Sequence, residues 1–171
     1  MEKNYKQKRY KGFVFRTVVD PYKKGNYMSE TEEKKTMTDT VLSYMDHIID
    51  ECKNCGAELI LLSTPSPHNY DYARHNTLLA YAKEKGLKYV DMNLQLEKTG
   101  IDWETDSFDK GDHLNLAGAM KVTSFLGEYL SENFSLKDHR EDAAYLSWKK
   151  ESAVFEKMVK KKLAKMRGED T

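Results

Sequence analysis

Ala-Glu-Leu-Ile-Leu-Leu-Ser-Thr-Pro-Ser-Pro-His-Asn (57–69) is the stretch on which the fold of this chain turns. Residues 57–63 form a short, nearly continuous apolar run between Gly56 and Pro65, the pattern of a strand covered on both faces. Strands of that kind belong to parallel sheets. The cycle then repeats, with a Pro-rich loop at 64–69, a helix over 72–85 closed by Gly86, and a second strand over 88–92. A right-handed crossover makes two such strands parallel neighbours, or nearly so, with their carboxyl ends on one edge of the sheet. That edge is where open α/β sheets collect their chemistry, and both the 64–69 loop and the segment after Met92 leave from it.

Upstream, residues 12–19 read as a short β-prone run, followed by Asp-Pro-Tyr-Lys-Lys-Gly-Asn (20–26), which is rich in turn formers. A helix is expected over 31–55, because Val41, Met45, Ile48, Ile49 and Cys52 fall at helical spacing and Gly56 can end it in a left-handed cap. Downstream, an irregular stretch at 100–113 precedes a helix over 116–130, capped by Asn115 and carrying Val122, Phe125, Leu126, Tyr129 and Leu130 on its core face. A last helix over 140–166 has a weaker stripe and ends in a basic tail. These readings divide the chain into a basic arm with a short strand and loop (1–29), an α/β core (30–135) and a C-terminal helix with a basic tail (136–171).

The 171 residues suffice for one domain, and 39% hydrophobic against 33% charged residues is the composition of an ordinary soluble globular protein. Basic and acidic residues balance at 28 each, so the molecule as a whole has no net field to draw nucleic acid or an anionic membrane. Both ends are basic, and the simplest reading is solvated tails plus one exposed helix face. No apolar run is long enough to cross a bilayer, and residues 1–16 lack the apolar core of a signal peptide. Cys52 and Cys55 have no second pair with which to build a zinc site and are expected unpaired at a helix end.

Chemistry concentrates in the loop before the 116–130 helix, where Asp106, Asp109, Asp112, His113 and Asn115 cluster. Acyl transfer needs an imidazole that takes a proton from a weak nucleophile and a carboxylate that orients it, and one loop can supply both. A cap by Asn115 would hold His113 at a fixed height above the sheet. His68 and His75 flank the start of the 72–85 helix and could line the same pocket. His47, His139, Trp103 and Trp148 read as surface or packing residues.

Phe-Asp-Lys-Gly-Asp-His-Leu-Asn-Leu-Ala-Gly-Ala-Met-Lys-Val-Thr (108–123) resembles the last conserved block of SGNH/GDSL-type hydrolases, in which an Asp shortly before a His completes a Ser-His-Asp triad. The resemblance covers about residues 12–148. It implies an incomplete parallel, flavodoxin-like three-layer α/β sandwich with an extra C-terminal helix, and His113 as general base. The commonest family spacing is Asp-x-x-His, but Lys110 occupies that position, so Asp109 or Asp112 must orient the ring. Asp109 is favoured because adjacent side chains on an extended segment diverge. Ser66, His68 and Asn69 are the expected substrate-binding residues.

The family's Gly-Asp-Ser turn is absent, and neither Ser63 nor Ser66 stands in a nucleophile motif. The chain would therefore be the carboxyl-terminal portion of an ester hydrolase or acyltransferase, with its serine elsewhere; the alternative is a catalytically inactive binding or interaction protein. By the same resemblance the substrate would be a small-molecule or carbohydrate acyl ester, no cofactor is called for, and the setting would be exported or cell-envelope in bacteria. An exposed sheet edge that invites self-association is also expected.

Overall fold

The computed structural model describes residues 13–169. In chain order these form α1 (Asp39–Cys55), β1 (Ile60–Ser63), α2 (Tyr72–Lys85), β2 (Lys88–Asp91), α3 (Leu96–Thr99), α4 (Leu116–Asn133) and α5 (Leu146–Met166), with short 3-10 turns at Met92–Leu94 and Ala143–Tyr145. The architecture is mixed α/β around a two-stranded parallel sheet. Ile60 pairs with Lys88 and Ser63 with Asp91, so both strands end at one edge. Among the described residues each strand has a single strand neighbour, which leaves two edges unpaired.

Side chains alternate along β2, and the two faces receive different helices. Tyr89 and Asp91 meet His75 of α2 through polar contacts, whereas Val90 joins Met92 and Val122 of α4 in the apolar core, with Phe125, Leu126 and Leu114 packed against it. Helix α2 begins where Asp71 accepts from the Arg74 amide and stops where Gly86 turns left-handed, its amide returning to Ala82 and Lys83. Helix α4 begins where Asn115 Oδ1 accepts from the Ala117 and Gly118 amides. Gly118 is required there, because an added Cβ would stand 2.7 Å from the Asp106 carbonyl oxygen.

Three expectations are corrected. Residues 13–19 form no strand, and Gly12 lies outside the described residues. Their backbone is held by scattered partners rather than a ladder: Leu116 N–H donates to the Arg16 carbonyl, Asn115 Nδ2 to that of Val18, and Asp20 N–H to that of Ser107. The first helix starts at Asp39 instead of 31, capped by Thr38, whose hydroxyl accepts from Val41 N–H. Residues 31–35 stay out of the helix because α2 takes up their polar groups, Asn76 donating to the Thr31 and Glu33 carbonyls and Thr77 bonding both backbone groups of Lys35. The last helix starts at Leu146 instead of 140, after Asp142 caps the preceding 3-10 turn.

Val41, Tyr44 and Ile48 of α1 are exposed, as is Leu62 of β1. Cys52 and Cys55 are both free. Among the described residues no helix is long and apolar enough to cross a membrane.

Candidate active site

The loop between residues 106 and 115 is built as a tight return. Ser107 and Leu114 form an isolated antiparallel bridge, and Phe108 N–H donates to the His113 carbonyl. The buried Ser107 hydroxyl accepts from the amides of Asp109 and Gly111 at 3.3 and 2.7 Å. The reversal itself uses two left-handed residues, Lys110 at φ 61° and Gly111 at φ 94°. Glycine is needed at the second, since a Cβ there would come within 2.6 Å of the Pro67 ring. Because two residues are spent on turning, His113 comes back over Asp109 at a spacing of four.

Asp109 grips the histidine twice. Its Oδ1 accepts from the His113 backbone amide at 2.7 Å, and its Oδ2 lies 2.7 Å from ring Nδ1. Asp112 Oδ2 stands farther off, at 3.7 Å. The Phe108 ring stacks on the imidazole at 5.6 Å between centroids and 17° between planes, which limits its rotation. The hydrogen bond to Asp109 raises the His113 pKa above its ordinary value, outweighing desolvation, and the charges of Asp112 and Asp109 add smaller pushes in the same direction. The ring is 64% exposed. Among the described residues no hydroxyl hydrogen-bonds Nε2.

The 64–69 loop closes against this return from the carboxyl end of β1. Ser66 Oγ donates to the Asp112 carbonyl at 3.0 Å, and Asn69 Nδ2 donates to the Asp112 carboxylate. His68 enters through its backbone, whose N–H donates to the Gly111 carbonyl. Thus Ser66, Asn69, Asp112, Asp109 and His113 come together, and His68 is brought to the same edge. Ser63 is not among them. Its hydroxyl points to Tyr70 and Tyr89 on the α2 face.

Residues that the sequence did not single out tie the two halves. Asn93, buried just past β2, accepts from Ser66 N–H and Tyr27 OH and donates to the Thr64 carbonyl and to Asp91. It thereby locks the loop after β1 to the end of β2. Asp91 in turn accepts from Tyr89 and faces His75 Nδ1 at 2.8 Å. Burial raises the nearby phenols, Tyr70 to about 12, so they remain neutral donors. The only advance signal for Asn93 was its place immediately after a buried strand. Asp106, counted in the chemical cluster, is instead buried and paired with Lys121 of α4 at 2.6 Å.

A groove of about 480 Å³ opens beside the pair, floored by Pro65, Phe108, Leu114 and Val122 and rimmed by Asp112 and His113. Asp109, Asp112 and His113 each offer a ligand atom, all within 4.8 Å of one another, but only two of the three are oxygens, well short of the roughly six that a hard cation takes. The geometry suits proton transfer at Nε2, with Nδ1 occupied by a carboxylate. Compared with protein families, with curated proteins and with solved structures, the chain matches none.

Proposed function

We propose that His113 and Asp109 are the imidazole and carboxylate of a Ser-His-Asp acyl-transfer site of SGNH/GDSL type, acting on an acyl ester of a small molecule or carbohydrate. The nucleophilic hydroxyl would come from a polypeptide segment other than residues 13–169, and the scaffold would be an incomplete flavodoxin-like sandwich. One observation carries this reading: Asp109 holds Nδ1, leaving Nε2 of an exposed, stacked ring at the mouth of a groove beyond the carboxyl end of β1.

In that role neutral His113 accepts the proton of the hydroxyl as its oxygen adds to the ester carbonyl. Asp109 stabilises the imidazolium that forms, and the same proton then passes to the departing alkoxide. The raised pKa makes His113 a stronger base, available once the pH exceeds it. A second reading, a binding protein without catalysis, draws on the absence of any hydroxyl bonded to Nε2 among the described residues.

Cleavage of p-nitrophenyl acetate separates the two, because water can replace the missing hydroxyl on so activated an ester. The acyl-transfer reading expects a slow rate above buffer that His113→Gln lowers about tenfold or more, within the span of general-base effects. A rate untouched by His113→Gln rejects it in favour of the binding protein.

A further inference from the structure

Helix α5 turns one side toward α4, where the buried Val159 and, beside it, Leu163 line a cleft with Met120. On the opposite side Leu146, Lys150, Val154, Lys157, Lys161 and Lys165 follow one another at spacings of four, four, three, four and four, all of them exposed. On an α-helix those spacings keep all six within an arc of about 100° over a length of about 28 Å. Leu146 and Val154 are 51% and 58% exposed. Ala164 lies on this side too but is buried, where the chain turns back and Glu169 N–H donates to its carbonyl.

The stripe contains no acid. Glu151 and Glu156 fall outside the arc, and Glu169 beyond the helix is paired with Arg167. Lys149, also off the stripe, is taken up by Glu141. Among the described residues none of Lys150, Lys157, Lys161 and Lys165 has an ion-pair partner. Lys157, Lys161 and Lys165 stand four apart, where like charges repel and weaken a helix. The helix dipole accounts only for cations in the last turn, which leaves Lys150 and Lys157 without that reason to be there. An extended anion laid along the stripe relieves the repulsion. The balanced charge of the whole chain does not oppose this, because the fields of distant acids are screened over about 8 Å at physiological ionic strength.

Leu146 and Val154 decide which anion. The phosphates of a nucleic acid have no use for an aliphatic side chain, and the stripe offers neither an aromatic ring to stack on a base nor a guanidinium to grip a base edge. A bilayer surface takes both kinds of residue, the ammonium groups among the headgroups and the aliphatic ones at the acyl boundary beneath. We propose that the outer face of α5 lies flat on the surface of a bilayer rich in anionic phospholipid. Attachment of this kind is peripheral, asks for no spanning helix, and is independent of the acyl-transfer reading of His113.

Co-sedimentation of the full chain with vesicles of phosphatidylcholine alone, and of equimolar phosphatidylcholine and phosphatidylserine, tests the proposal. Binding is expected to the mixed vesicles only and to weaken as salt is raised. Lys157→Gln and Lys161→Gln should each lower the affinity about fivefold, and the double variant about 25-fold. Lys149→Gln, which removes a cation already paired off the stripe, should change it by less than about twofold. Val154→Ser should weaken vesicle binding and leave its salt dependence intact. All four positions are exposed, and unchanged circular dichroism checks that each variant is folded. No binding to the mixed vesicles, or equal losses from Lys149→Gln and Lys161→Gln, overturns the proposal. So does a thymine oligonucleotide that binds through Lys157 and Lys161 more tightly than the vesicles while Val154→Ser alters neither partner, since the face would then serve nucleic acid.

Discussion

Two of the histidine–aspartate pairs share a contact distance and differ in everything around it. His75 and Asp91 lie 2.8 Å apart with side chains 12% and 3% exposed, whereas His113 and Asp109 lie 2.7 Å apart with side chains 64% and 31% exposed. The first pair is wedged between α2 and β2, and its carboxylate is saturated by Tyr89 and by both nitrogens of Asn93. The second is carried on a loop, with one ring nitrogen held and the residue lining a groove. Contact distance therefore does not separate a packing device from a reactive one. What separates them is whether a proton acceptor is left over where a substrate can reach it.

Substitutions at the two carboxylates should expose that difference, and the largest effect belongs to the buried one. Asp91→Ala strands His75, Tyr89 and Asn93 without their common acceptor, and urea unfolding should show a loss of about 2–4 kcal/mol. Asp109→Ala should change stability by less than about 1 kcal/mol, as exposed ion pairs do. Equal losses at the two positions would erase the comparison.

The next effect is on titration. The folded His113 pKa is raised, so this pair stabilises the fold fully below the unfolded histidine pKa, near 6.5, and the contribution is lost as pH rises through the folded value. Asp109→Asn removes the main cause of the shift. Proton NMR of the ring should then show its midpoint moving to lower pH, and the ester-cleavage profile should move with it. Asp112→Asn should move the midpoint in the same direction by a smaller amount, because that carboxylate acts at 3.7 Å through its charge rather than a hydrogen bond. A larger shift from Asp112→Asn would reverse the assignment of the orienting acid.

Much of the scaffold was legible because its signals are local. Helix α2 runs between the Asp71 cap and Gly86, β2 follows directly, and Asn115 opens α4, each set by side chains within a few residues. The segment 13–22 was not legible, because its partners lie on residues 103–116 and one of them is a side chain. The same holds for residues 31–35, whose irregular backbone is tied down by Asn76 and Thr77 on α2. At the candidate site, the contact between Asp109 and His113 followed from spacing and the divergence of neighbours. Its geometric cause, the left-handed Lys110–Gly111 reversal over the Ser107 hydroxyl, had no signature beyond a single glycine. Asn93 was hard to see for a plainer reason: apart from Asp91, two residues before it, its partners are Tyr27 and the loop at Thr64 and Ser66, far away in the chain.

The central claim, that an acid-bound imidazole at His113 is free to act as a base, is tested most directly by carbethoxylation with diethylpyrocarbonate, followed residue by residue while ester cleavage is monitored. The account predicts that His113 reacts well ahead of His75 and that p-nitrophenyl acetate cleavage falls in step with its modification. Complete modification of His113 with the rate unchanged would contradict it.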